Sequence, residues 1–218
     1  MKWIRGRLLK LELKNYRNMF YVNSRLSFVF AIVVFVLFVA SCNDDVTPKP
    51  RAYFRIDIPE HNFIHYDSSS PFSFDYADYA VVSNANNAAH PYWLFLDYPK
   101  FNARIYLSYS DIQGNVSQML NDAHDLAFKH IAVANDIQQK LILIPENKVY
   151  GLYYSIKGAK VASPINFYVT DSVSHFVRGA LYFNFAPQND SLAPVINGIE
   201  KDIWQLVESL KWQEVINE

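Results

Sequence analysis

One cysteine, Cys42, and six glycines in 218 residues leave several kinds of chemistry without raw material. No residue beyond Cys42 carries a thiol, so that part of the chain closes no internal disulfide and holds no cysteine-ligated zinc. Its stability rests on packing. Neither G-x-x-x-x-G-K-[ST] nor G-x-G-x-x-G occurs, which removes the usual phosphate-cradling loops, and the G-x-S-x-G elbow of a hydrolase is missing as well. There is no excess of positive charge. Residues 1–42 hold 7 of the 20 Lys+Arg and 1 of the 21 Asp+Glu, leaving 13 basic and 20 acidic groups beyond them, a net of about −7. Such a balance argues against a nucleic-acid partner and against flat adsorption to anionic lipid, both of which need a clustered basic face.

What is present starts at the N-terminus. Leu26 to Val39 is an uncharged apolar run of 14 residues. That suits the core of an export signal and falls short of the ~18 to 20 residues that span a bilayer. Lys2, Arg5, Arg7, Lys10, Lys14, Arg17 and Arg25 lie upstream against one acid, Glu12, which holds the N-terminus in the cytoplasm while the run enters the export channel. The run closes on Val39-Ala40-Ser41-Cys42, which resembles the bacterial lipobox, where small residues admit the peptidase and the cysteine thiol receives a diacylglyceryl group. Residues 1–41 therefore read as a cleaved lipoprotein signal, with Met19 an alternative start. Cys42 reads as the lipidated first residue, carrying diacylglycerol and an N-acyl chain. Polar, proline-bearing residues 42–52 read as a tether, and 53–218 as one globular domain. An uncleaved anchor would leave the domain in the same compartment.

Beyond Tyr53 two periods alternate. Tyr92–Tyr98 and Ala103–Tyr109 are aromatic and β-branched runs with interleaved polar residues, joined by Pro99-Lys100, and read as neighbouring strands. Val116, Met119, Leu120, Ala123, Ala127, Ile131 and Ala134 recur at three and four, predicting a helix over Asn115–Asp136 that Asn115 caps. Strand patterns return at Leu141–Ile144, Val149–Ile156, Ile165–Thr170 and Phe176–Phe185, with short turns implying antiparallel neighbours. Ser191–Trp212 again has helical spacing, through Val195, Ile199, Ile203, Leu206, Val207 and Leu210. Ser83–His90 reads as a loop. The expected fold is α+β, a single domain with an antiparallel sheet covered by two amphipathic helices, and its order of elements resembles the PsbP/Mog1 topology.

The search for reactive groups returns little. His61 and His65 stand in a strand-like segment, where i and i+4 are about 13 Å apart, too far to share one tetrahedral ion. His124 and His130 diverge around the predicted helix. No metal, cofactor or catalytic set is expected. Asp171, Ser172, Ser174, His175 and Arg178 form the densest polar cluster, with Asp171 and Ser172 setting a turn and Arg178 offering a planar fork to a carboxylate. Of 35 aromatic residues, 27 lie beyond Cys42. Tyr150, Tyr153 and Tyr154 fall on both faces of one strand, and Tyr153, opposite in phase to Leu152 and Tyr154, is expected to face outward as an interface anchor.

Several segments together carry a family resemblance: Tyr53–Pro59 (YFRIDIP), Pro71–Tyr76 (PFSFDY), Pro99-Lys100-Phe101 with Arg104–Tyr109 (RIYLSY), Leu126–His130 (LAFKH), Val149–Gly151 (VYG), and above all Phe167–Ser172 (FYVTDS) with His175–Asn184 (HFVRGALYFN). Ser191–Pro194 and Leu210–Trp212 fit too. The chain resembles the gliding-motility lipoprotein GldD of Bacteroidota over nearly all of its length beyond Cys42. Many members carry cysteines before the PFSFDY-like segment and before the first aromatic strand. Ser70 and Tyr92 occupy that neighbourhood here, so a disulfide of relatives would be absent. The resemblance implies a non-enzymatic envelope lipoprotein, in the outer membrane facing the periplasm, whose partners are other gliding and type IX secretion proteins. A periplasmic small-ligand-binding module or hydrolase is the competing reading.

The lipobox reading generates a test. Metabolic labelling with an alkyne fatty acid should mark the wild-type chain and leave Cys42→Ala unlabelled, since the thiol takes the diacylglyceryl group and the amino group that is acylated is freed only by the cleavage that follows. Equal labelling of the two would remove the lipoprotein reading.

Overall fold

The computed structural model describes residues 56–214 and, upstream of them, Ile32 alone. These downstream residues belong to the second of two compact units, Tyr53–Glu218. Cys42, the tether and all of the apolar run but Ile32 lie outside the described residues. Among the described residues no helix is long and apolar enough to cross a membrane.

The elements run β1 (Phe63–Tyr66), β2 (Phe72–Ala77), β3 (Val81–Asn84), β4 (Leu94–Tyr98), β5 (Ala103–Asp111), α1 (Val116–Phe128), β6 (Asp136–Ile144), β7 (Val149–Lys157), β8 (Ile165–Thr170), β9 (His175–Phe183), α2 (Asn189–Ser209) and β10 (Lys211–Trp212). Seven strands form one sheet in the order β3-β4-β5-β9-β8-β7-β6, and β1-β2-β10 form a second. Every pairing is antiparallel. Two of the hairpins use one device: Pro99–Phe101 and Pro145–Asn147 make a single 3-10 turn, and the next residue, Asn102 or Lys148, closes it in the left-handed region at φ 48° and 54°. Proline presets the entry angle, and the closing N–H returns to the proline carbonyl at 3.3 and 3.1 Å.

The two faces of the large sheet are covered differently. On one face, Leu96, Ile105, Leu107, Phe167, Val169, Val177 and Leu181 meet the stripe Val195, Ile199, Ile203, Leu206 and Val207 of α2, together with Phe72 and Phe74 of β2. On the other, Ala123 and Ala127 of α1 pack on Tyr154, Ile156, Tyr168 and Phe176. One position shows how close the first fit is. Gly179 is paired across the sheet with Phe167, and a methyl added there would overlap the phenyl ring.

The α+β architecture, the antiparallel pairing and the two helices agree with the sequence expectation, but a second, three-stranded sheet was not expected and several bounds differ. The first helix stops at Phe128 rather than Asp136, because β6 claims Asp136 for a nine-residue ladder with β7 and Asn135 N–H already bonds Lys157 O at 2.7 Å. Ile131 is left 63% exposed. Asn115 occupies the cap position, but its side chain turns back to accept from Gln113 N–H. The last helix ends at Ser209, since Leu210 is extended and Lys211 and Trp212 pair with β2. Part of the expected loop, Ser83-Asn84, belongs to β3.

Tyr153 corrects a further expectation: it does not face outward. It is 3% exposed, on the α2 side of β7, where its ring packs on Trp204 at 5.0 Å. Lys140, its cross-strand partner, lies over the same tryptophan at 3.9 Å. Alternation put Tyr153 and Tyr154 on opposite faces correctly, but both faces are covered here. Tyr153→Ala should therefore lower stability by about 3–5 kcal/mol, the range for removing a buried aromatic ring. Chemical denaturation measures it; an unchanged midpoint would return Tyr153 to the surface.

Candidate binding face

The hairpin between β8 and β9 is organised by one carboxylate. Asp171 Oδ1 accepts the backbone N–H groups of Val173, Ser174 and His175 at 2.8 to 2.9 Å. Ser172 takes the left-handed conformation at φ 67°, its N–H held by Thr170 Oγ1 at 2.9 Å. Partial burial works against the Asp171 charge, but the three N–H groups outweigh it and hold its carboxyl below the ordinary value.

The five clustered polar residues do not form one surface. Asp171, Ser172 and Ser174 make the hairpin tip. His175 follows on the α2 side of the sheet, its Nδ1 2.9 Å from the Tyr109 hydroxyl, which donates to Asp111 Oδ1 at 2.6 Å; its ring stacks on Trp212 at 5.1 Å. Arg178, three residues on, points to the opposite face. There it stands in a row with Leu152, Tyr168 and Ser108 of the neighbouring strands, and its Nη2 donates to Asn166 Oδ1 at 3.1 Å.

That opposite face is covered by α1 over β7 and β8 and remains open over β4 and β5. The open half holds a shallow cavity of about 520 Å³ lined by Trp93, Phe95, Tyr106, Ser108, Arg178 and Tyr182, among others. Tyr106 packs edge-on against both Phe95 and Tyr182, at 5.1 and 5.4 Å. Arg104 lies over the Phe95 ring at 4.5 Å and is closed by Asp97 at 2.6 Å. His130 is held below its ordinary pKa first by burial and then by the Arg178 charge.

A second constellation escaped the sequence reading. Asp202, 2% exposed on α2, accepts from the Tyr79 hydroxyl at 2.5 Å and pairs with His61 Nδ1 at 2.7 Å. Burial raises its pKa, and the bonds from Tyr79 and His61 oppose the rise. The Tyr98 hydroxyl approaches the same carboxylate without a well-formed hydrogen bond. The signal was available, for Asp202 is three residues after Ile199 and four before Leu206, on the apolar stripe itself. His61 is thus a paired group and not a free surface histidine, as is His65, bonded to Asp75 at 2.7 Å. An Asp–His pair is two-thirds of a hydrolytic triad, yet no serine hydroxyl bonds His61 among the described residues. Nor do the described residues hold a group of three or more metal-ligating side chains.

These features define an α+β domain on an antiparallel sheet, with a helix against each face and part of one face open. The family model described as gliding motility lipoprotein GldD matches residues 43–212, and the chain belongs to that family. Among solved structures it is similar to the solution structure of cyanobacterial PsbP from Synechocystis sp. PCC 6803, at 12% identity and a TM-score of 0.40, covering 73% of this chain and 98% of that one. Comparison with curated proteins gave no match.

The Asp171 turn has a pH signature. A carboxyl whose folded pKa lies below its ordinary 3.8 stabilises fully above that value and loses the contribution as pH falls through the folded value. Asp171→Asn should cost about 1–2 kcal/mol near neutrality, from weakened charge-assisted hydrogen bonds. Its deficit against wild type should shrink below about pH 4. Urea titrations across pH check this, and a deficit independent of pH would mean that the charge contributes nothing.

Proposed function

We propose that this chain is a lipid-anchored protein of the cell envelope, held through Cys42 in the outer membrane and facing the periplasm. It acts without catalysis as an interaction factor among gliding and type IX secretion proteins. The observation that carries this reading is the family match over 43–212; the export signal and lipobox pattern upstream support the compartment.

With Tyr153 in the core, the partner surface has to lie elsewhere. The large sheet ends at β6, a nine-residue edge strand whose Leu141 and Leu143 are 65% and 61% exposed, whereas the opposite edge, β3, has four residues. A long edge with free backbone groups and exposed leucines accepts an added strand from a partner, and natural sheets usually blunt such edges. In this reading β6 is the docking edge, and its ladder hydrogen bonds supply affinity while the two leucines supply selectivity. Replacing both by lysine should leave the melting temperature within a few degrees, because neither is buried, and should cut recovery of gliding proteins in cross-linked, lipid-solubilised pull-downs several-fold. Unchanged recovery together with unchanged colony spreading would remove β6 as the partner edge.

A further inference from the structure

The aromatic cavity beside Arg178 is a different surface from the β6 edge, and its chemistry is more specific. A guanidinium offers five N–H donors in a planar fork. Arg178 donates to Asn166 Oδ1 and also interacts with the Tyr182 side chain, and among the described residues no carboxylate lies within ion-pair distance of it. Arg104, on the same face of the adjacent strand β5 and opposite Tyr182, shows the contrast: Asp97 grips its Nε and Nη2 at 2.6 and 3.1 Å.

Asn166 is itself fixed. It is 2% exposed, and its Nδ2 donates to Ser163 O and Oγ at 3.3 and 3.1 Å, which leaves Oδ1 turned to the arginine. The guanidinium is therefore positioned by a buried group before any ligand arrives. Partial burial lowers the Arg178 pKa, the direction expected of a cation short of a counter-charge. Around it stand Trp93, Phe95, Tyr106 and Tyr182, in a cavity of about 520 Å³. That volume is within the range of about 300–1,000 Å³ typical of small-molecule sites, which combine apolar walls with a few placed polar groups.

We infer that this cavity binds a small organic acid, a single carboxylate on an apolar or aromatic body, with the carboxylate seated on Arg178 and the body against Phe95, Tyr106 and Tyr182. One planar fork matches a carboxylate. A phosphate monoester would bring a second charge and a third oxygen, and the cavity lining offers no second cation. The body must be apolar because the walls are rings, and an aromatic body gains edge and face contacts beyond its buried area.

The test uses the full chain in detergent, with micelle-only titrations subtracted. Calorimetry with 2-naphthoate and 3-phenylpropionate is compared with their carboxamides and with phenyl phosphate. The acids should bind saturably and at least tenfold tighter than the amides. Arg178→Gln should bring the acid down to the amide's level, Arg178→Lys should keep part of the preference, and Tyr106→Ala, at a 39% exposed position, should weaken acid and amide alike several-fold. Should Arg178→Gln fail to fold, the acid-to-amide ratio of the wild type and the Tyr106→Ala loss decide the matter. No saturable binding of the acids, equal binding of acid and amide, tighter binding of phenyl phosphate, or an Arg178→Gln protein that keeps its preference would each overturn the site. So would binding confined to a peptide ending in an apolar residue with a free C-terminus, which would make the cavity a docking point for a protein chain.

Discussion

A seven-stranded antiparallel sheet has two broad faces, and the described part of the second unit has two helices with which to cover them. The covering is unequal. The stripe of α2 together with β2 closes one face from β4 across to β7, whereas α1, thirteen residues long with Ala123 and Ala127 at its buried line, closes only the part of the other face over β7 and β8. The rest of that second face has to be made compatible with water without a covering element. It is met by rings with polar tips, Tyr106 and Tyr182, and by two long cations: Arg104, held by Asp97, and Arg178, whose partly buried head is held by Asn166. The open aromatic face is thus a consequence of the helix inventory, and its polar groups are the price of leaving it open.

The same inequality explains what the sequence could and could not say. Strand positions were legible because alternation and turn residues mark them locally: β8 matches its expected bounds, and β5, β7 and β9 differ only at their ends. Which face is the buried one was not legible at β7. Tyr153 and Tyr154 are 3% and 1% exposed, so a pattern that distinguishes faces carries no information about solvent once both faces are covered. The end of α1 was illegible for a related reason: Ile131 and Ala134 keep helical spacing, but a nine-pair ladder with β7 is a long-range term that local periodicity does not contain. Of the polar residues singled out in the sequence, only Arg178 lines the open cavity; Asn166, which holds it, was not read, and His175, three residues before it on the strand, points to the opposite face.

Asp202 shows what the core adds to the entry of the chain. The carboxylate sits on the buried stripe of α2 and is made tolerable by Tyr79 and His61, the latter on the segment that leads into β1. Just before it, Ile58 packs on Gly198, whose missing side chain makes the room. Two contacts of different kinds, one polar and one steric, thereby clasp residues 58 to 61 to α2. Under the proposed lipid attachment at Cys42, a load drawn through the tether would meet this clasp before it reached β1, and α2 would pass it to the main core.

The stretch 167 to 184, the most specific part of the family resemblance, has a physical reason at nearly every position that can be tied to geometry. Phe167 needs the vacancy at Gly179; Asp171 closes the turn that fixes the register of β8 on β9; His175 packs the end of β9 against Trp212 and so against β10; and Arg178 is aimed by Asn166 into the open face. Register is the quantity that joins them. A slip of one residue between β8 and β9 would put Phe167 against a side chain and would turn Arg178 into the α2 core, where its charge has no partner. The turn carboxylate, the glycine and the arginine therefore constrain one another: the turn that sets the fold also decides which face receives the cation.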